Sequence, residues 1–301
     1  MSYGYNQKII ETPTYIEIWE YEQPILLKRK YDNEKKEKPD WLKNTKQTFD
    51  NLTARGQYDS LKRKQTHYKN QRFVVARLID TNFDNQTKFL TLTFKENITD
   101  IAYTNSEFKK FIKRLNYHLY NTKKSQIKYL ATWEKQKCGA IHYHIVLFGL
   151  PYLPHSELTE IWGHGLIKIN RIDVDSAENR GRYVSKYFDK DLELKEHKKK
   201  AFFKSQNLKQ PIEIKRLTNQ PYEIKDQEVL FTNNYVSKQP IFFQSWDEQG
   251  IPNKEIGFEE QNIRYTKIKK MEEIINERTH YFTVRRSKTR VTGNHTPVIK
   301  D

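Results

Sequence analysis

Residues 128–148, KYLATWEKQKCGAIHYHIVLF, hold two runs of aliphatic, aromatic and β-branched residues separated by a short polar link. Runs of this kind read as strands, so 128–134 and 140–148 form a hairpin with 135–139 as its loop. In a strand, residues i and i+2 face the same side. His142 and His144 therefore project together and Tyr143 projects away from them, with the two histidine Cα atoms roughly 6–7 Å apart. If the loop is centred near Cys138, Glu134 falls opposite His142, and directly opposed residues share a face. Two imidazoles and one carboxylate make an open three-ligand set for a divalent ion. Mixed nitrogen and oxygen donors suit Mn or Mg better than a closed zinc site.

Outward from this hairpin the chain alternates in type. Residues 89–94 (Phe-Leu-Thr-Leu-Thr-Phe) read as a strand. A helix follows, capped by Asn105 or Ser106 and running to Tyr120, with Phe108, Phe111, Ile112, Leu115 and Leu119 on its apolar stripe. After the hairpin come a short helix (156–162), a strand (166–172) and a helix (about 176–191). This order predicts an α+β domain, with helices packed on an antiparallel sheet. Residues 59–80 read as a basic helix with Leu61, Tyr68, Val75 and Ile79 near a 3.6-residue period.

The flanks are less patterned. Residues 14–29 read as two short strands broken at Pro24, and 30–48 as an exposed charged stretch. Residues 228–244 read as strands around Asn233-Asn234, and 259–278 as a charged helix. The last twenty residues read as a basic tail. The expected organisation is an N-terminal extension (1–58), a central domain (59–210) and a C-terminal extension (211–301) with its basic tail from about 280.

Lys and Arg number 54 against 38 Asp and Glu, giving +16 over 301 residues. Charge of that size points to a polyanionic partner, with nucleic acid foremost because paired phosphates release counterions. The 19 Tyr and 16 Phe suit stacking on unpaired bases. A single cysteine, Cys138, excludes an intrachain disulfide and any multi-cysteine zinc site. There is no signal-peptide pattern and no apolar run near the roughly 18 residues of a membrane helix, so a cytoplasmic protein is expected.

A second constellation lies at residues 182–190, Arg-Tyr-Val-Ser-Lys-Tyr-Phe-Asp-Lys. On a helix, Ala177, Gly181, Val184 and Phe188 share a small-to-apolar face. Tyr183, Lys186, Tyr187 and Lys190 form a separate stripe at i, i+3, i+4 and i+7. A phenol can attack phosphorus and form a covalent phosphotyrosine, and a nearby ammonium group favours phenolate. The bland reading is an amphipathic helix edged with Tyr and Lys. His164, between two glycines, reads as a turn residue, and Asp173 and Asp175 as a solvated strand end.

Taken together, these motifs resemble the His-hydrophobic-His (HUH) endonucleases, and among them the rolling-circle replication initiators of bacterial plasmids and filamentous phages. Residues 89–94 resemble the family's first motif, His142-Tyr143-His144 its metal motif, and Tyr183-Val184-Ser185-Lys186 its Tyr-x-x-Lys motif. The resemblance covers roughly residues 60–210. It implies a five-stranded antiparallel sheet similar to an RNA-recognition fold, and nicking of single-stranded DNA at an origin hairpin. It also implies a 5′-phosphotyrosine link and a 3′-OH primer. Tyr183 would be the nucleophile, Lys186 its helper, and His142, His144 and Glu134 the ligands. Arg182 and Lys190 would contact DNA. Tyr187, one turn on, leaves the choice of nucleophile open.

No G-x-x-x-x-G-K-[S/T] loop occurs, so unwinding and synthesis would fall to a host helicase and polymerase. Relaxases usually place their histidines after the tyrosine, and small transposases are shorter chains. A non-enzymatic single-strand binder is the alternative from another class. Whether the protein acts as a homodimer is left open by the sequence.

Overall fold

The computed structural model describes residues 4–26, 49–172, 202–242 and 255–270, together with Asn179, Gly181 and Val184. The chain divides into two compact units, one of Met1–Leu27 with Glu213–Asp301 and one of Lys28–Ile212. Each contains a five-stranded antiparallel sheet, so the α+β reading holds. Among the described residues no helix is long and apolar enough to cross a membrane.

The 28–212 unit is built on β3 (Lys88–Thr93), β4 (Lys128–Lys135), β5 (Ile141–Phe148), β6 (Ile167–Arg171) and β7 (Phe203–Lys204). Their order is β6-β3-β5-β4-β7, with β5 central. Three helices accompany them: α1 (Ala54–Asn82), α2 (Ile101–Tyr120) and α3 (His155–Trp162). Nearly all of β5 is buried because both faces of the sheet carry a core. On one face Leu90, Leu92, Tyr143, Ile145 and Leu147 meet Phe108, Phe111 and Leu115 of α2 and Leu158 and Trp162 of α3. On the other, Phe89, Leu130, Val146 and Phe148 meet Val75, Leu78 and Ile79 of α1. Each large side chain so buried contributes about 1.5–3 kcal/mol.

Helix α2 begins earlier than expected. Its cap is Asp100, whose carboxylate accepts from the Ala102 and Tyr103 amides at 2.7 and 3.2 Å. Asn105 and Ser106 lie inside the first turns, and buried Thr104 and Glu107 extend the inward stripe toward the start. The helix ends at Asn121, which takes a left-handed conformation (φ 47°).

The other unit comprises β1 (Gly4–Glu11), β2 (Tyr15–Leu26), β8 (Ile212–Arg216), β9 (Val229–Phe242) and β10 (Glu255–Lys269), in the order β8-β1-β2-β10-β9. Three expectations change here. Strand β2 runs through Pro24 unbroken. The pairing with β1 jumps from Gln7–Glu20 to Tyr5–Ile25, so Pro24 sits in an irregularity where its missing N–H costs no ladder bond. Strand β9 does not turn at Asn233-Asn234, since these residues pair with Tyr265 and Arg264. Residues 255–269 form a strand, where a helix was expected over 259–278. Their pairing with both β2 and β9 overrides the helical propensity of the charged residues, because a central strand satisfies its backbone on both sides. The expected exposed stretch at 30–48 and the basic tail lie outside the described residues.

Candidate metal centre and nucleophile segment

The hairpin register places Glu134 opposite His142, as the loop arithmetic required, and Thr132 opposite His144. On the other side of β5, Thr91 and Thr93 of β3 pair with His144 and His142. One sheet face therefore gathers two imidazoles, one carboxylate and three threonines. Val146, one strand repeat below His144, belongs to the α1-facing core with Phe89. The polar group thus lies where that apolar cover ends.

His144 is the most constrained member. Its Nε2 lies 2.7 Å from Glu134 Oε2 and its Nδ1 lies 3.2 Å from Thr91 Oγ1. Phe89 stacks on its ring at 5.7 Å, nearly parallel. His142 is half-buried, and its Nδ1 lies 3.2 Å from the Gln136 amide nitrogen. Burial and the neighbouring His144 hold the His142 pKa below its ordinary 6.5, against the opposing pull of Glu134. A neutral imidazole keeps a lone pair for a cation.

The reverse face fixes the strand. Tyr143, fully buried, stacks on Phe108 with ring centroids 4.8 Å apart. Its hydroxyl donates to Asn105 Oδ1 at 2.7 Å. Burial pushes its phenol well above the usual range, so it stays a neutral donor. The end of β3 is clamped as well, with Trp162 Nε1 donating to the Thr93 carbonyl at 3.1 Å. Gly165 packs so close to the Thr93 and Lys95 backbone that a Cβ there would collide with it.

Donor chemistry at this face fits a hard or borderline divalent ion. Among the described residues, however, no group of three His, Cys, Asp or Glu side chains stands arranged around a common point for an ion. Glu134 and His144 bond to each other, and His142 turns toward Gln136.

Tyr183, Lys186, Tyr187, Arg182 and Lys190 lie outside the described residues. Two of their sequence neighbours are described, and both are helical. Gly181 abuts the Ala76 backbone of α1 so closely that a Cβ would meet the Ala76 carbonyl. Val184 is buried in the cluster that contains Phe89, Val146 and Val75. This matches the expected inward face of Gly181 and Val184. Asp173 and Asp175 also lie outside the described residues.

His164 sits in the turn after α3 and bonds Glu107 Oε2 at 2.9 Å. Glu107 is buried, and its carboxyl is held below the usual range by Lys110, with His164 adding to the effect. His118 is exposed and lies 3.1 Å from Glu157. Cys138 is exposed, with its thiol 3.6 Å from Gln136 Oε1.

Sequence reasoning overlooked Thr91 and Gln136, the partners of the two histidines. For Thr91 a signal existed: Leu90 and Leu92 alternate with Thr91 and Thr93, which marks a polar face on β3.

An antiparallel α+β sheet with paired histidines and a cross-strand carboxylate defines the general class. Residues 87–192, about a third of the chain, match a family model described as a replication-associated protein of the ORF2 type. The matched segment spans β3 to β6 and the Tyr183 region, and it supports a role as a replication initiator. No curated protein matches the chain, and no solved structure does.

Proposed function

We propose that the chain is a rolling-circle replication initiator that nicks single-stranded DNA at an origin hairpin, using Mn or Mg and a tyrosine nucleophile. The observation that carries this reading is the Glu134–His142 pairing with His144 bonded to Glu134, inside the segment that matches a replication-associated family. His142, His144 and Glu134 would hold the ion once the His144–Glu134 and His142–Gln136 contacts open. When bound, it would polarise the scissile phosphate as a Lewis acid. The Tyr183 phenolate would attack phosphorus and the P–O3′ bond would break. The departing 3′-oxygen would take up a proton and become the primer, and the 5′-phosphate would stay on tyrosine. Lys186 favours phenolate, Tyr187 is the alternative or second nucleophile, and Arg182 and Lys190 hold flanking phosphates. Support for Tyr183 comes from its neighbour Val184, which packs in the cluster with Phe89, the ring stacked on His144.

The test is a denaturing gel of a labelled origin oligonucleotide incubated with protein and Mn. A covalent adduct is expected from the wild type, and none from Tyr183→Phe or from the His142→Ala/His144→Ala double variant. Loss only in Tyr187→Phe would reassign the nucleophile. No adduct with binding intact would sink the reading. One observation favours a second reading, a non-enzymatic single-strand binder: Glu134 and His144 already satisfy each other by a 2.7 Å hydrogen bond.

A further inference from the structure

The sheet β8-β1-β2-β10-β9 has two chemically different faces. One carries Ile9, Ile16, Ile18 and Ile268, packed with Tyr222. Register fixes what the opposite face carries. Lys8 pairs with Trp19, Trp19 with Tyr265, and Tyr265 with Asn233. Two residues along β10 in either direction, Lys267 pairs with Phe231, and Ile263 lies between Tyr21 and Tyr235.

The rings on this face form a continuous row. Trp19 and Tyr265 lie 5.0 Å apart, Phe231 lies 5.9 Å from Tyr265, and Tyr5 meets Tyr21 edge-on at 5.7 Å. Ammonium groups stand over ring faces: Lys8 over Trp19 at 5.5 Å, Lys215 over Tyr5 at 5.2 Å and Lys267 over Tyr15 at 3.7 Å. Two carboxylates share the face. Glu17 is buried and accepts from the Tyr265 hydroxyl at 2.7 Å. Glu213 bridges Lys8 and Lys215 at 3.7 and 2.8 Å. One end is closed, with Ile10, Tyr15 and Glu17 buried. Toward β9 the face opens, with Phe231 52% and Tyr235 40% exposed.

The open face of an antiparallel sheet is ordinarily polar. A row of rings left half-open and overlaid by lysines departs from that pattern in a direction that matches one ligand chemistry. Unpaired bases stack on ring faces whatever their identity, and ammonium groups neutralise the phosphates between them. A duplex keeps its bases stacked on one another and gives the rings nothing to bind. We propose that this face is a sequence-tolerant binding surface for single-stranded nucleic acid. Phe231 and Tyr235 supply the stacking rings, and Lys8, Lys215 and Lys267 supply the phosphate contacts. It shares no residue with the His142–His144 face and stands whether or not that face cleaves DNA.

Fluorescence anisotropy of a labelled dT20 oligonucleotide with the full chain tests the proposal, beside a 20-bp duplex at the same salt. The Phe231→Leu/Tyr235→Leu variant keeps apolar volume and removes the aromatic faces, and its melting curve is recorded in parallel. A Phe231→Tyr/Tyr235→Phe variant keeps the rings. The leucine variant is expected to weaken dT20 binding by about tenfold or more, with duplex binding unchanged and the ring-keeping variant like wild type. Unchanged dT20 affinity in the leucine variant would overturn the proposal, and so would an equal loss for dT20 and duplex. The His142→Ala/His144→Ala variant keeps dT20 affinity on this reading. Absence of any covalent adduct alongside ring-dependent binding would remove the nickase reading and leave this one standing.

Discussion

Thr91 holds the side of His144 that faces away from Glu134, with its hydroxyl 3.2 Å from Nδ1. A threonine there fixes ring orientation and tautomer, the usual task of a group behind a metal-binding imidazole. Thr91→Val keeps the shape and removes the hydroxyl. Its Mn affinity, read by titration calorimetry, should fall about 10–100-fold; unchanged affinity would deny Thr91 that task. His142 gives a second prediction at this scale. Its pKa lies below 6.5 in the metal-free fold, so folding favours the neutral form. That contribution is present above pH 6.5 and is lost as pH falls through the folded value. An NMR titration should place the His142 midpoint below 6.5. His144→Ala should move it up by removing a neighbouring positive charge, and Glu134→Gln should move it down. The Glu134–His142 pairing was legible in the sequence because a short hairpin leaves few registers. The Gln136 contact was not, because a loop side chain's direction depends on the turn the backbone takes.

At the scale of elements, the contact of Gly181 with α1 decides where the Tyr183 segment docks. A methyl group at 181 would meet the Ala76 carbonyl, which is backbone and cannot be relieved by trimming a side chain. Gly181→Ala should therefore destabilise by about 1–3 kcal/mol in thermal melts followed by circular dichroism. It should also lower adduct yield, and Ala76→Gly should not rescue it. Wild-type stability and yield would show that the segment docks elsewhere. Strands β3 to β6 and the helices between them were readable because each buries a periodic stripe against a near neighbour in sequence. Strand β10 was not. It buries Ile263 on one face and Thr266 and Ile268 on the other, so no clean alternation survives. Its β2 partner, with Tyr21 opposite Ile263, lies far back in the chain, and local pattern carries no trace of it.

Across the whole molecule, the first and last segments of the chain close one sheet, while the family-matched segment builds the other. The two have separate apolar clusters, one around Ile18 and Ile268 and the others around Leu90 and Val146. A substitution in one cluster should then act on its own unit. Ile268→Ala and Leu90→Ala each truncate a fully buried side chain and should cost about 2–5 kcal/mol. In calorimetry Ile268→Ala should shift one transition and Leu90→Ala another. Mn-dependent adduct formation should survive Ile268→Ala and fail with Leu90→Ala near the altered melting temperature. The units exchange no chain segment except at their boundaries near residues 27 and 212, which is why separable transitions are the expected outcome. If both variants shift a single shared transition, the sheets fold as one cooperative body, and the platform around Phe231 and Tyr235 would be energetically tied to the histidine face.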